Sequence, residues 1–199
     1  MSHKLVLITG GARSGKSTFA EDLAKRLGRR VLYVATAAAL DGEMRERIAE
    51  HRRLRPADWR TIEATSDVGP AMAAGIADAE VVLIDCLAVL VSNLMMGESN
   101  EIEEERLDEP VLERAMRREI AGILDVARSS PASFILVSNE VGLGLVPAYR
   151  SGRLFRDLLG RANQIVAAEA DEVYLVVAGI AIDIKRIASE GKRGMRVEG

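Results

Sequence analysis

The chain holds a single cysteine, Cys86, in 199 residues. One thiol excludes an internal disulfide and a cysteine-based zinc site, and it fits a reducing compartment. Aromatic residues make up only 4% of the chain, which leaves little for stacking against nucleic-acid bases. Neither sign of charge dominates. The formal net charge of −3 gives no global footprint for nucleic acid or an anionic membrane. The longest charge-free stretch after Asp85, CLAVLVSNLMMG, is too short to span a bilayer. The opening MSHKLVLITGG has a short apolar run that leads straight into glycines, unlike a signal peptide. A soluble, cytoplasmic protein with no membrane span is expected. Two signatures are also missing: the guanine-reading N-K-x-D of switch GTPases, and anything like a protein-kinase catalytic loop. Histidine is scarce too, with only His3 and His51.

What is present suffices for a globular core. Hydrophobic residues are 48% and charged residues 29%, ordinary for a soluble domain, and the length suits one domain. That domain is expected over residues 1–188, with 189–199 a polar, glycine-rich, flexible tail. Apolar, β-branched runs at 4–9, 30–36, 80–86, 133–139 and 172–179 read as strands. They are continuous rather than alternating, which points to a parallel sheet covered on both faces. Helical patterns fall between them at 16–27, 41–54, 68–77, 110–128 and 154–170. The alternation predicts an α/β three-layer domain with a mainly parallel sheet. WRTIEA, 59–64, offers an extra strand, and the acidic stretch 97–109 reads as a solvated loop and helix start.

The first predicted strand runs into GGARSGKS: Gly10, Gly11, Ala12, Arg13, Ser14, Gly15, Lys16 and Ser17. This is the P-loop pattern G-x-x-x-x-G-K-[ST], placed after a strand and before a helix as the chemistry requires. Small residues let backbone N–H groups converge on phosphate oxygens. Lys16 reaches the β- and γ-phosphates, and Ser17 offers a hydroxyl to Mg²⁺. The helix that follows points its positive end at the same place. A P-loop needs a partner carboxylate for Mg²⁺ at the end of another buried strand, and VVLIDC supplies Asp85. The residues alone therefore predict a protein that binds a nucleoside triphosphate with Mg²⁺ in a P-loop NTPase-type domain.

His51 lies in RIAEHRRLRP. On a helix, Arg47, His51 and Arg55 would share a face at i, i+4 spacing. Arginines there could hold a triphosphate while a neutral imidazole attacks its α-phosphorus. The residues alone favour the plainer reading, a surface histidine on a basic helix. A nucleic-acid patch is a third reading, weakened by the lack of interleaved aromatics, Trp59 excepted.

Several strings occur in order and at matching spacing: GGARSGKS, YVAT, LDGEMRERIAEHRRLRPADWRTIEA, LIDCLAVLVSNL, VSNEVGLGLVP and GRLFRDLLGRANQIVAAEADEVYLVVAGIAIDIK. From about residue 5 to 185 the chain resembles the bifunctional adenosylcobinamide kinase / adenosylcobinamide-phosphate guanylyltransferases of cobalamin biosynthesis. The R-I-x-x-H-x-x-x-R-P-x-x-W-R-T-x-E and N-E-V-G-x-G-x-V-P strings are far more specific than the P-loop. The resemblance implies transfer of the γ-phosphate of ATP or GTP to the aminopropanol hydroxyl of adenosylcobinamide. It then implies transfer of GMP from GTP to adenosylcobinamide phosphate through a GMP-histidine, which falls on His51. By the same resemblance the P-loop holds GTP phosphates, and Ala35, Thr36 and Ala37 touch the nucleotide. So do Arg52, Arg53, Leu54 and Arg55, together with Glu63 and Asp85. Glu63 is chemically suited to guanine N1–H and its amino group. Asn139, Glu140 and the loop 142–147 look like part of the site wall, or equally a turn that closes a strand. Relatives often carry threonine at the place of Ala88, and some carry glutamate at the place of Asp85. The family also implies a ring-like homotrimer.

Overall fold

The computed structural model describes residues 3–37, 56–97 and 102–194. Strands and helices alternate along the chain: β1 (Leu5–Gly10), α1 (Lys16–Leu27), β2 (Val31–Ala35), β3 (Arg60–Glu63), α2 (Val68–Gly75), β4 (Val81–Asp85), α3 (Leu87–Met96), a 3₁₀ turn (Glu104–Arg106), α4 (Glu109–Ser129), β5 (Ser133–Val137), α5 (Arg150–Glu169), β6 (Glu172–Val177), β7 (Ile180–Asp183) and α6 (Ile184–Gly194). The strands form one sheet in the order β3-β2-β4-β5-β1-β6-β7. All neighbours run parallel except β6 and β7. The expected α/β three-layer architecture with a mainly parallel sheet is what the chain adopts.

The continuous apolar strands have the cause expected of them. One face of the central strands, with Leu7, Leu32, Val34, Ile84 and Leu136, is covered by helices α2 to α5. The other face, with Val6, Ile8, Tyr33, Leu83 and Val137, packs on Ala20, Leu23 and Ala24 of α1 and on Trp59. A strand buried on both faces needs apolar residues at every position. The extra strand at 59–64 is present as β3, and it pairs in parallel with β2 at the sheet edge.

Three elements depart from the sequence reading. The charge-free run after Asp85 is α3, a helix whose Leu87, Leu90, Val91 and Met95 are buried in the core. A helix this apolar shows no amphipathic stripe to read. The stretch 172–179 splits into β6 and a two-residue turn, Ala178 and Gly179, both at positive φ, before β7 returns antiparallel. That backbone is the tight hairpin turn whose twist matches the strands. Finally, α6 continues through Gly194, into the stretch expected as a polar tail from 189. The helix expected at 41–54 lies outside the described residues.

Helices α2 and α4 meet without side chains between them. A Cβ on Gly69 would lie 2.7 Å from the backbone carbon of Gly122, whereas one on Gly122 would come no closer than 3.8 Å to Gly69. Glu119 of α4 reinforces the contact by accepting from the N–H groups of Asp67 and Val68 at 2.6 and 3.1 Å. The two glycines therefore respond oppositely to alanine. Gly69→Ala forces the helices apart and costs roughly 1–3 kcal/mol in urea unfolding. Gly122→Ala, in a helix interior with ordinary contact distance, leaves stability unchanged or raises it by up to about 1 kcal/mol.

Candidate nucleotide-binding site

The phosphate loop sits where β1 meets α1, at the carboxyl edge of the sheet. Gly10 ends β1 with β6 close beside it. A Cβ there would lie 2.4 Å from the Val176 carbonyl oxygen and 2.8 Å from Ser14 Oγ, so only glycine fits. Arg13 and Gly15 adopt positive φ, 55° and 93°, and the chain curls so that Ser14 N–H donates to the Gly11 carbonyl at 3.3 Å. Gly15 then caps α1, whose first turn carries Lys16 and Ser17. Lys16 Nζ reaches back across the loop and donates to the Gly11 carbonyl at 3.1 Å. Gly11, Ala12 and Arg13 are exposed, and Ser14 is buried with a hydroxyl that has no protein partner, the kind of donor a phosphate oxygen satisfies.

The β6–β7 turn braces this loop from outside. Gly179 N–H donates to the Ser14 carbonyl at 2.8 Å. A Cβ on Gly15 would stand 3.2 Å from Gly179 Cα. No feature of the sequence reading pointed to this turn. Two positive-φ residues between apolar runs, Ala178 and Gly179, are its only signal, and alanine hides the first.

The second strand ends align with the first. Glu63, Ala35, Asp85, Val137 and Ile8 sit level across β3, β2, β4, β5 and β1. The sequence-predicted contacts Ala35, Glu63 and Asp85 are thus one row at the carboxyl edge, where ligands bind in open α/β sheets. Asp85 is half-buried. It alternates with Leu83 and Val81, which face α1, so its carboxylate lies on the same side as Lys16 and Ser17. Tyr33 Oη donates to Asp85 Oδ2 at 2.8 Å. Thr36, fully buried, donates through Oγ1 to the Cys86 carbonyl and accepts from Cys86 N–H, both at 2.9 Å. Asn93 of α3 ties the adjoining loops by donating to the carbonyls of Thr36 and Thr65. Ala37 is half-buried and Glu63 exposed.

A hard cation fits this donor set. Magnesium takes one or two carboxylates, a hydroxyl, phosphate oxygens and water, and needs no cage of protein ligands. Asp85 and Ser17 supply the protein share. Among the described residues no group of three or more His, Cys, Asp or Glu side chains could hold a metal by itself.

β5 lies between β1 and β4, so its end separates the phosphate loop from Asp85. There Glu140 N–H donates to the Gly10 carbonyl at 3.0 Å. The Glu140 carboxylate accepts from the N–H groups of Gly142 and Leu143 at 2.7 and 3.0 Å. Arg156 and Arg153 of α5 hold the Gly142, Pro147 and Ala148 carbonyls. Asn163 donates to the Asn139 carbonyl. Both ends of the loop 142–147 are thus tied down, with Glu140 engaged at one of them, while Leu145 and Val146 between them are exposed. Trp59 is 9% exposed and packs in the α1-side core, so it is no stacking platform. His51, Arg52, Arg53, Leu54 and Arg55 lie outside the described residues, as do Arg47 and the rest of 38–55.

Cys86 follows Asp85 directly. Burial, with the adjacent Asp85 charge, pushes its thiol up to about 11, against a partial pull downward from the Val89 and Ala88 N–H groups and Lys16. At pH 8 the thiol is therefore neutral. Iodoacetamide should alkylate it about a hundredfold more slowly than an ordinary cysteine, with the rate climbing as pH rises toward 11 and recovering in urea. Fast labelling of the folded protein at pH 8 would contradict this.

Comparison with known proteins now adds to the geometry. The family profile described as CobU, cobinamide kinase / cobinamide phosphate guanyltransferase, matches residues 6–184. Two curated proteins named bifunctional adenosylcobalamin biosynthesis protein CobU, from Salmonella typhimurium and Escherichia coli, are each 44% identical over 181 residues. Those alignments cover 91% of this chain and 99% of each relative. The bifunctional adenosylcobalamin biosynthesis protein CobP of Pseudomonas aeruginosa is 41% identical over 179 residues, 90% of this chain and 96% of the relative. Among solved structures, the RadB recombinase superposes with a TM-score of 0.51 at 15% identity, covering 87% of this chain and 74% of that one. That likeness speaks to the P-loop α/β fold alone. The match over almost the whole of these relatives makes this chain a member of the cobinamide kinase / cobinamide phosphate guanyltransferase family.

Proposed function

We propose that the chain performs two transfers on one corrinoid acceptor. In the first, the aminopropanol hydroxyl of adenosylcobinamide attacks the γ-phosphorus of ATP or GTP. The bond to the β-phosphate oxygen breaks, the hydroxyl proton is lost, and adenosylcobinamide phosphate and a nucleoside diphosphate result. In the second, the His51 imidazole attacks the α-phosphorus of GTP and pyrophosphate leaves. A phosphate oxygen of adenosylcobinamide phosphate then attacks that phosphorus, the P–N bond breaks, and adenosylcobinamide-GDP is released. The observation that carries the reading is membership of a family matched along 6–184, with an intact phosphate loop in its place between β1 and α1.

The described residues have defined parts in this scheme. The loop Gly10 to Ser17 binds the β- and γ-phosphates through backbone N–H groups, and Lys16 spans them. Ser17 and Asp85 are the residues to hold Mg²⁺, which when bound neutralises charge that builds on the phosphate oxygens. Glu63 stands four strands from β1, about 19 Å at the usual spacing of parallel strands. An extended nucleotide is on that scale, so guanine at Glu63 and phosphates at the loop are compatible. Thr36, Ala37 and the arginines at 52, 53 and 55, with Leu54, complete the nucleotide's surroundings in this reading. No helix among the described residues is long and apolar enough to cross a membrane. We take the protein as cytoplasmic and as a homotrimer whose corrinoid site is completed by a neighbouring subunit.

The decisive test is covalent labelling. The protein is incubated with Mg²⁺ and GTP labelled at the α-phosphate, denatured, and exposed to acid or alkali. The expected adduct is acid-labile, alkali-stable and absent from His51→Ala, as a phosphoramidate on histidine requires. No adduct alongside intact γ-phosphate transfer would mark a plain P-loop kinase, with His51 a basic-helix residue. Strong, salt-sensitive nucleic-acid binding without either transfer would point to a nucleotide-regulated binding protein instead. The subunit arrangement has its own check. Mixing His51→Ala subunits with subunits inactive in corrinoid binding should restore activity if sites are shared, and strictly additive inactivity would refute sharing.

A further inference from the structure

β2 brings a tyrosine hydroxyl up beneath the metal-binding carboxylate. Ala35 is the direct cross-strand partner of Asp85, and Tyr33 partners Leu83. Tyr33 and Asp85 are thus diagonal neighbours on the α1 side of the sheet, within reach of a long side chain. Tyr33 is 2% exposed and belongs to the buried α1-side core, which also holds its strand partner Leu83 and Trp59. Its hydroxyl donates to Asp85 Oδ2 at 2.8 Å. The backbone beside Asp85 is held by the same strand's continuation. Thr36 N–H donates to the Asp85 carbonyl at 3.2 Å, and Thr36 Oγ1 brackets both polar groups of Cys86.

We propose that Tyr33 is a positioning residue for the Mg²⁺-nucleotide complex: its hydroxyl pins the Asp85 carboxylate so that Oδ1 faces the cation's coordination sphere. This rests on the reading of Asp85 as the magnesium carboxylate. The physical reason is the softness of the aspartate. Its terminal torsion is broad and roughly two-fold, so a carboxylate hinged on a fixed strand end can still rotate through many orientations. Thr36 fixes where the strand end sits but does nothing to that torsion. A hydrogen bond from a ring locked in the core does. A hydrogen bond between a neutral phenol and a carboxylate is also of the stronger, charge-assisted kind, and one oxygen committed to Tyr33 leaves the other for the cation. The competing account is that the phenol merely finds a partner for a buried hydroxyl, as buried tyrosines do, with no consequence for metal.

The test separates the two by making magnesium the variable. The full chain is titrated calorimetrically with α,β-methylene-GTP, which cannot donate GMP, once in EDTA and once in saturating Mg²⁺. The ratio of the two affinities is compared for the unaltered chain, Tyr33→Phe and Asp85→Asn. Phenylalanine keeps the ring in place, so packing and folding are preserved. The expected result is an EDTA affinity that stays within about twofold in Tyr33→Phe while the gain from Mg²⁺ drops roughly tenfold. The Mg²⁺ concentration for half-maximal gain should rise accordingly, and Asp85→Asn should lose the gain altogether. If Tyr33→Phe keeps the full Mg²⁺ gain that Asp85→Asn loses, the positioning role is overturned and the magnesium reading of Asp85 stands. Equal weakening with and without Mg²⁺ also overturns it, because a packing defect would act that way. If Asp85→Asn keeps the gain, the magnesium reading and the positioning role fall together.

Discussion

The close approach of β1 to β6 at Gly10 is the constraint on which the rest of the site depends. The Val176 carbonyl stands where a side chain would begin, 2.4 Å from a Cβ position. One turn further on, the β6–β7 hairpin lies against Gly15 and donates Gly179 N–H to the Ser14 carbonyl. These contacts matter because of bookkeeping of backbone groups. A phosphate loop must keep its own N–H groups turned inward for the ligand, so its carbonyls turn outward and need donors of their own. Gly179 supplies one and Lys16 another, at Gly11. Backbone brought against backbone in this way tolerates no Cβ at Gly10. The edge hairpin is therefore part of the nucleotide site although it carries none of the expected contact residues.

A second consequence follows from strand order. With β5 between β1 and β4, the phosphate loop and Asp85 are two strand spacings apart, about 10 Å. Here the gap is bridged from one side by α1, which packs on β4 and β5 and begins at Lys16. From below, Tyr33 aims the carboxylate. From behind, Glu140 ties the end of β5 to Gly10.

How much of this was legible in the sequence varies with the range of the forces involved. The phosphate loop and α1 were legible to the residue, because glycine placement and the Lys16 start are local chemistry. The place of Asp85 at a strand end was legible because four apolar residues run directly into it. α4 was legible through its helical pattern: the expected 110–128 became Glu109–Ser129, with Asp108 accepting from Val111 N–H at its start. α3 was not, since a helix whose only polar residues are the adjacent Ser92 and Asn93 has no period against a polar face. β7 and its direction were not, because an alternating exposure pattern of four residues carries little signal and its turn uses an alanine at positive φ. Tyr33 was hidden for a different reason. Its partner is 52 residues away, and only the register of β2 on β4 makes them neighbours.

The same register bears on the one stretch where the proposed chemistry lies beyond the described residues. The chain leaves the carboxyl edge at Ala37 and resumes at Pro56, where Trp59 N–H turns back to the Pro56 carbonyl before β3. β2 and β3 are parallel, so β3 begins at the edge of the sheet opposite the one where β2 ends. Nine residue steps separate His51 from Arg60. Fully extended they span about 30 Å, whereas a four-residue parallel strand such as β3 covers about 13 Å. Chain length therefore does not forbid the imidazole from reaching the row formed by Glu63, Ala35 and Asp85. In the proposed scheme, that row is where guanine and the α-phosphate would meet it. Two attacks on different phosphorus atoms of one kind of nucleotide then need no second phosphate loop. The proposed scheme asks for a γ-phosphate held at Gly10 to Ser17 in one step, and for an α-phosphate presented to His51, which lies between β2 and β3 in the sequence, in the other.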